Sequence, residues 1–444
     1  MGKNSKARVA RAHEKKLSSA QFWLIALPFT ALIIKFIVMA NIPAGGWLGA
    51  DGENYLAGVD GLLKDGFFSE EGKLIYWPAG YPIFIWPLAA VSISKFVYFL
   101  GVIQSSLFAY ATFLFTRELK RTKIASLAIT TSFLISFNPT LSLSTLTVGY
   151  EGPVAVLLMI TVAFLIRDLL SPSSKISKRN IFIVALSLSV SSFFQPRMLL
   201  FAVAFILFWS CKKSGKKLRM QLVVLTLAIA MLLPSILIFR NIVANNKAAI
   251  STNLGVTMRI GAGDKATGGY SNSGGSVQCL PEVKGQEISD NQVVICVLKW
   301  YVEHPAKTSK LMINKTFFYW SPWFGPIANG TMARNPWLKT SPLVEIAKSE
   351  SGHNLIYGGI GKTISWMWLL GGMVLIGAGL LWLWLHGGVE RTLFWLAGIP
   401  TILGWLTSLG TIGDHRFRVP QMALSLFLQV AGIYGLRRRF KRSA

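Results

Sequence analysis

The stretch "AQFWLIALPFTALIIKFIVMAN", residues 20–41, is an apolar run that contains a single charged residue, Lys35. About 20 mainly apolar residues are enough for a helix to cross the hydrocarbon core of a bilayer. Six Lys and Arg precede the run in residues 1–19. Because the run is longer than the apolar core of about 7–15 residues in a secretory signal, we expect an uncleaved signal-anchor helix.

The composition extends this prediction to the whole chain. Of the 444 residues, 52% are hydrophobic and 14% are charged, whereas about 25% of residues in a soluble domain are charged. These values exclude a disordered chain and an ordinary soluble core. They predict an all-α polytopic membrane protein with about ten transmembrane helices. The predicted spans are 20–41, 97–116, 124–143, 153–170, 180–195, 197–211, 220–240, 363–385, 392–412 and 419–436.

Residues 81–94, "YPIFIWPLAAVSIS", form the one apolar stretch whose role is ambiguous. It is short and contains two prolines, which suits an interfacial or re-entrant helix better than a span. If it does not cross, the basic segments all lie on the side of the N-terminus: 117–123, 167–179, 212–219 and 437–442. If it crosses, all of them move to the other side.

The distribution of charge favours the first topology. With ten spans, the N-terminal side holds 25 of the 45 Lys and Arg but only 4 of the 19 Asp and Glu. Loops rich in Lys and Arg remain in the cytoplasm, so we expect both termini to be cytoplasmic. The net charge of +26 is then mainly an orientation signal, with anionic membrane lipids as secondary partners. Nucleic acid is excluded as a partner.

This topology divides the chain into three segments. They are a transmembrane module, 1–240, with a first outer loop at 42–96; a large outer loop, 241–362; and C-terminal helices with a basic cytoplasmic tail, 363–444. The large loop starts with a turn-rich segment. It continues with 291–305 and 306–320, which have helical patterns. We therefore expect an α-rich cap that lies on the membrane.

The three cysteines fall into two environments. Cys279 and Cys296 both lie in the large outer loop, where a disulfide persists, and they are the candidate pair for a bridge. Cys211 lies at the inner edge of the membrane and has no partner there.

Two groups of acidic residues are candidates for chemistry at the outer face. Asp51 and Glu53 follow the first span by about ten residues, and a carboxylate at this boundary can act as a general base. The alternative is a solvated loop carboxylate. Glu151 opens a later span, where an acidic residue also stabilises the N-terminus of a helix without any catalytic role.

The motif "GDHRFRVP" places His415, Arg416 and Arg418 in the shortest outer loop. Guanidinium groups bind phosphate oxygens well, although arginines also anchor spans by snorkelling. Arg197 lies at the outer end of a span. Lys35 lies inside the first span, where a cation is a functional candidate unless it snorkels to the surface. These five residues are candidate ligands for a phosphate on a lipid.

The order of these motifs resembles a known family. Asp51 and Tyr55 follow the first span, "YWPAGYPIF" comes next, and Glu151 opens a later span. Then "RN" leads into "ISTNLGVTMRIGAGDKATGGY", and "HRFRVP" precedes the last span. This order is similar to that of the bacterial polytopic GT-C glycosyltransferases, which include relatives of the protein O-mannosyltransferases and of the lipid A aminoarabinose transferase (glycosyltransferase family 39-like). The resemblance covers about residues 20–436.

The resemblance implies a fold and the positions of the acidic residues. The fold has many membrane helices, with short juxtamembrane helices in the first outer loop. The catalytic acid of the family corresponds to Asp51, with Glu53 as the second carboxylate of the loop, and another acidic position corresponds to Glu151. The location implied is a bacterial inner (plasma) membrane with the active site on the outer face.

The resemblance also implies the substrate. The Arg-Tyr-Arg-x-Pro-like ending of the family corresponds to Arg416, Phe417, Arg418 and Pro420, with Phe in place of Tyr. The donor implied is a polyprenyl-phosphate-linked sugar, and the acceptor is a glycolipid, a polysaccharide or a protein. Asp51 would deprotonate the acceptor while Arg416 and Arg418 stabilise the departing phosphate. No cofactor is required, although a divalent metal is possible.

Two other classes of protein remain as alternatives. A transporter or flippase of a lipid-linked substrate would use the same basic residues without a general base, and it would place charges deeper in the spans. A non-catalytic subunit of an envelope assembly pathway needs neither a general base nor charges deep in the spans. Within enzymes, a polymerase or ligase of lipid-linked glycans fits the order of motifs less well.

Overall fold

The protein is helical throughout the part of the chain that its structure describes. The computed structural model describes residues 3–40, 51–121, 125–171, 177–212, 216–270, 277–279, 288–320, 349–351 and 358–443. Its helices are α1 (Lys3–Ala40), α2 (Gly52–Asp65), α3 (Lys73–Tyr76), α4 (Gly80–Val91), α5 (Phe96–Leu119), α6 (Ala125–Phe137), α7 (Pro139–Ser144), α8 (Glu151–Leu169), α9 (Lys178–Phe194), α10 (Met198–Lys212), α11 (Lys216–Asn245), α12 (Leu254–Ile260), α13 (Asp290–Glu303), α14 (Pro305–Trp320), α15 (Gly359–His386), α16 (Gly388–Gly410), a 3₁₀ turn (His415–Arg418) and α17 (Met422–Ser443).

Six of the described helices are long and apolar enough to cross a membrane: α1, α5, α8, α11, α15 and α16. The described part is therefore helical, as predicted, and its long apolar helices support the prediction of a membrane protein. Helices α6, α9, α10 and α17 occupy the other four predicted spans, but they are too short or too polar to qualify by themselves. The predicted span 124–143 is not one continuous helix, since α6 ends at Phe137 and α7 begins at Pro139. The break has a local cause, because a proline disfavours the helical conformation of the residue before it, here Asn138.

The first loop contains the short helices that the sequence predicts. Helices α2, α3 and α4 lie between the first two long apolar helices, and residues 42–50 of the predicted loop are outside the described part. The doubtful stretch 81–94 coincides with α4, which has 12 residues. At 1.5 Å per residue it is about 18 Å long, too short to cross a hydrocarbon core of about 30 Å.

Close contacts between backbones hold the C-terminal helices together. Gly379 of α15 lies against the carbonyl of Leu428 in α17, and Gly432 of α17 lies against the carbonyl of Leu375. A Cβ at either glycine would collide with the neighbouring backbone. Small residues at such crossings allow membrane helices to approach closely, which explains why this pair packs so tightly.

The described part of the large loop is an α-rich cap, formed by α12, α13 and α14. The predicted helices 291–305 and 306–320 correspond to α13 and α14, while 271–276, 280–287, 321–348 and 352–357 lie outside the described residues. Ser289 and Gln292 form a capping box at the start of α13. A disulfide joins Cys279 to Cys296 beside the small apolar core of the cap.

A buried arginine at the end of α11 attaches the first loop to the membrane helices. Arg240 is fully buried, and its guanidinium donates to the carbonyl oxygens of Phe67 and Ser69 and to Asn241 Oδ1. The amide of Asn241 in turn donates to the carbonyl of Ile250, at 3.1 Å. Arg240 therefore fixes the turn after α2, and Asn241 fixes the first residues of the large loop.

We expect Arg240→Met to loosen the first loop and to destabilise the protein. The substitution leaves the carbonyls of Phe67 and Ser69 buried without their donor, and each such group costs about 1–3 kcal/mol. Thermal unfolding in detergent should occur at a lower temperature, and trypsin should cleave after Lys64 and Lys73 at a higher rate. Arg219→Met, at the exposed opposite end of the same helix, is the control. Unchanged unfolding and cleavage in Arg240→Met would contradict the attachment.

Candidate active site

The 3₁₀ turn after α16 places Arg416 inside the protein. Asp414 precedes the turn and its Oδ1 accepts from the backbone N–H of Arg416 at 2.8 Å, which is the usual role of Asp at a helix N-terminus. The turn directs the side chain of Arg416 into the bundle, where it is 10% exposed. The motif "GDHRFRVP" therefore positions the guanidinium of Arg416 as a buried positive charge.

Asp51 meets Arg416 from the other end of the sequence. Arg416 Nη1 lies 2.5 Å from Asp51 Oδ2. Asp51 stands immediately before α2, but its side chain makes no cap hydrogen bond to that helix. The carboxylate is 12% exposed, so the ion pair is largely shielded from solvent. The structure thus brings together two of the predicted site residues, 365 positions apart.

Glu151, the third of these groups, opens α8. Its Oε1 lies 3.4 Å from Nε of Arg416, at a distance and angle of an ion pair rather than of a hydrogen bond. Tyr81 holds the segment just before Glu151, since its hydroxyl accepts from the backbone N–H of Gly149 at 3.0 Å. One guanidinium therefore contacts two carboxylates, from the first loop and from α8.

Arg197 completes the cluster from the turn between α9 and α10. Its Nη2 donates to the Tyr150 hydroxyl at 2.7 Å, and its guanidinium carbon lies 4.1 Å from the centre of the Phe417 ring. A cation over an aromatic face is attracted by the ring quadrupole. The guanidinium carbon of Arg416 lies 5.4 Å from the centre of the same ring, so Phe417 contacts both arginines.

The electrostatics of the cluster follow from burial and charge. Burial acts to lower the pKa of Arg416, but Asp51, Tyr150, Glu151 and Asp414 together raise it well above its ordinary value. Burial raises the pKa of Tyr55 as well, with Asp51 as the next contributor. Arg416 is therefore permanently charged, and the tyrosines around the site are neutral hydrogen-bonding groups.

Two further residues of the motif have different surroundings. Burial lowers the pKa of Arg418 to about 10, with Tyr319 and Asp414 opposing the change, so its guanidinium is still charged at neutral pH. It lies 6.0 Å from the centre of the Trp320 ring. Burial lowers the pKa of His415 to about 4, with Asp414 opposing it and both arginines adding to it. His415 is therefore neutral at pH 7 and offers a phosphate only a hydrogen bond.

The pKa of His415 predicts a loss of stability in mild acid. The unfolded chain binds a proton near pH 6.5, but the folded protein does so only near pH 4. The free energy of unfolding therefore falls as pH decreases through this window, by about 2–3 kcal/mol from this group. His415→Gln should reduce the pH dependence of thermal unfolding between pH 6.5 and 4. An identical profile in wild type and variant would contradict a buried neutral histidine.

Two of the predicted residues have other surroundings. Lys35 is buried in α1, donates to Thr145 Oγ1 at 3.1 Å and lies 4.1 Å from the centre of the Phe108 ring. It thus supports the 139–150 segment that leads to α8. Glu53 is exposed on α2. Their proposed roles, phosphate binding and second base, remain predictions.

Sequence patterns alone missed the contributions of Tyr150 and Asp414. Tyr150 directly precedes Glu151, and Asp414 directly precedes His415. Asp414 lies in the quoted motif "GDHRFRVP", whereas no pattern singled out Tyr150. Their contributions are visible only in the folded structure. Tyr150 accepts a hydrogen bond from Arg197, and Asp414 caps the 3₁₀ turn that carries Arg416.

The described residues contain no group of three or more His, Cys, Asp or Glu placed to hold a metal ion. The two carboxylates that contact Arg416 are oxygen ligands of the kind that Mg²⁺ and Ca²⁺ accept, and the predicted divalent metal remains a prediction.

Comparisons with family models, with curated proteins and with solved structures find no match for this chain. The fold and the site define it as an integral membrane protein that buries an Asp–Arg–Glu cluster where the first loop, α8 and the 3₁₀ turn meet.

Proposed function

We propose that the protein is a membrane glycosyltransferase that moves a sugar from a polyprenyl-phosphate donor to an acceptor at the outer face. One observation carries the proposal: Arg416 contacts both Asp51 and Glu151, with Arg197 beside them. A base next to fixed cations is what transfer of a sugar away from a phosphate requires. The acceptor is a glycolipid, a polysaccharide or a protein.

The reaction is a direct displacement at the anomeric carbon of the sugar. The oxygen of an acceptor hydroxyl forms the new bond to this carbon while the bond from the carbon to the phosphate oxygen breaks. Asp51 takes the hydroxyl proton, and the electron pair of the broken bond leaves with polyprenyl phosphate. A positioned base of this kind typically contributes about 10²–10⁴-fold to the rate.

The cations stabilise the charge that develops on the departing phosphate. A guanidinium has five N–H donors, more than the two contacts to Asp51 and Glu151 use. Arg416 can therefore hold the base and bind a phosphate oxygen at once, and Arg197 and Arg418 add further positive charge. Fixed donors directed at a developing charge need no reorganisation during the reaction, which is why they lower the barrier.

The finer features of the fold belong to the same proposal. They are the GT-C architecture with about ten spans, both termini in the cytoplasm of a bacterial inner membrane, and the site on the outer face. The order of motifs and the short helices α2–α4 support the architecture, and the Lys and Arg distribution supports the orientation. The proposed chemistry requires no cofactor.

A donor panel tests the function directly. Purified protein in lipid nanodiscs is incubated with several polyprenyl-phosphate sugars and a membrane extract as the source of acceptor, and released polyprenyl phosphate is measured by mass spectrometry. We expect release from at least one donor, dependent on the extract. Tight binding of donors without any release would contradict a transferase.

The second candidate is a transporter of a lipid-linked substrate. It is favoured by Lys35, which is buried within a membrane span, as transport sites often are. A transporter would move intact donor between the two faces of a vesicle, whereas a transferase consumes it. The same donors are therefore also tested with the protein in sealed vesicles, and analysis of the lipid recovered from each face separates the two.

A further inference from the structure

Helix α14 leaves the cap and runs alongside the membrane helix α16. Lys315 Nζ donates to the carbonyl of Leu409 at 2.9 Å, near the end of α16. One residue further along α14, Thr316 Oγ1 accepts from Trp405 Nε1 at 3.1 Å. As α14 proceeds towards its C-terminus, its contacts therefore move back along α16, away from the end of that helix.

The last turn of α14 reaches well below the end of α16. A Cβ built on Gly404 would lie 2.8 Å from the hydroxyl of Tyr319, so Tyr319 packs at the level of Gly404. Gly404 is six residues before Gly410, where α16 ends. At 1.5 Å per residue this is about 9 Å along the helix axis. Because α16 crosses the membrane, the end of α14 lies at the depth of its spanning part.

One face of α14 becomes apolar and exposed towards the C-terminal end of the helix. Lys310, Ile313 and Phe317 are spaced i, i+3 and i+7, which places them on one side of the helix. Ile313 is 57% exposed and Phe317 is 61% exposed. Two exposed residues of α16, Ile402 and Leu406, lie within one turn of Trp405. Leu406 is next to Trp405, and Phe317 is next to Thr316, so the two exposed surfaces flank one contact.

We propose that Ile313 and Phe317 insert into the acyl-chain region of the bilayer, with Lys310 at the headgroups, so that α14 is a partly immersed helix of the cap. The face lies on a helix that contacts α16, which also carries exposed apolar residues, and its apolar side chains suit the hydrocarbon core. Lys310 stands about 10 Å above Phe317 along the helix, where a lysine reaches the phosphates. The cap is thereby anchored by lipid as well as by protein contacts.

Depth-dependent quenching of a fluorophore tests the proposal without reference to the activity. Cys211→Ser removes the free thiol, and the disulfide of the cap does not react with a maleimide dye. The dye NBD is attached at Phe317→Cys, at Ile313→Cys and, as a control on the same face, at Lys310→Cys. Nanodiscs then contain lipids with a doxyl quencher on the acyl chain, and iodide serves as the quencher in water.

We expect the dye at positions 317 and 313 to emit at shorter wavelength and to lose fluorescence to the acyl-chain quencher but not to iodide. The dye at position 310 should respond to iodide. Quenching of all three positions by iodide alone would overturn the proposal, because the face would then line a water-filled space. Protection of 317 and 313 from both quenchers would also overturn it and would indicate a protein partner, such as a second copy of the chain.

Discussion

Asp51→Asn should reduce sugar transfer by about 10²–10⁴-fold, the range that a positioned general base contributes. The amide keeps the shape of the side chain but cannot accept the acceptor proton. Donor binding should change much less, because Arg197 and Arg418 remain. The measurement is the initial rate of polyprenyl phosphate release with the donor that the panel identifies.

Two matched variants make this prediction specific. Glu53→Gln changes the other carboxylate of the first loop, which is exposed, and should retain most activity. Asp60→Asn, on the exposed side of α2, controls for folding of that helix. Full activity in Asp51→Asn together with loss in Glu53→Gln would move the base to Glu53.

Arg416→Met should destabilise the protein by about 3–5 kcal/mol, the cost of removing one partner of a buried ion pair. The substitution leaves Asp51 and Glu151 as neighbouring carboxylates without their shared cation. Thermal unfolding in detergent measures the effect. Arg179→Met, at an exposed position near the start of α9, is the control and should change stability by less than about 0.5 kcal/mol.

The double variant distinguishes the pair from general packing. Asp51→Asn removes one of the two unpaired carboxylates, so Asp51→Asn/Arg416→Met should recover part of the stability that Arg416→Met loses. Residues in direct contact show interaction energies of about 0.5–3 kcal/mol in such cycles. Strict additivity of the two single variants would contradict the ion pair as the source of the effect.

Arg416→Lys separates charge from geometry. An ammonium keeps the positive charge but lacks the planar fork that contacts two carboxylates at once. We expect a folded protein with slow transfer. This result would show that the charge preserves folding, whereas the position of the guanidinium donors sets the rate.

Much of the fold is predictable from local sequence. The apolar runs gave the six long helices because a segment of about 20 apolar residues has few alternatives to a membrane helix. The break at Asn138-Pro139 was also readable, yet the length of the run around it outweighed the proline in the prediction. Helices α13 and α14 followed from spacing, and Pro305 separates them in both prediction and structure.

The site was only partly predictable. Each motif named its own residues, but the meeting of Asp51, Glu151 and Arg416 depends on the packing of three distant segments, which no local pattern encodes. The resemblance to GT-C enzymes supplied their order and not their contacts. Lys35 illustrates the limit, because its position in the sequence suggested a phosphate ligand while packing places it against Thr145.

The measurement that tests the central proposal most directly uses a donor whose bridging oxygen, between the anomeric carbon and phosphorus, is ¹⁸O. Displacement at the anomeric carbon breaks the bond from that carbon to the labelled oxygen. The proposal therefore predicts that wild-type protein releases polyprenyl phosphate that retains the ¹⁸O, while the sugar appears on the acceptor without it. Label recovered on the sugar would contradict displacement at this carbon, and intact donor recovered across the membrane would indicate a transporter.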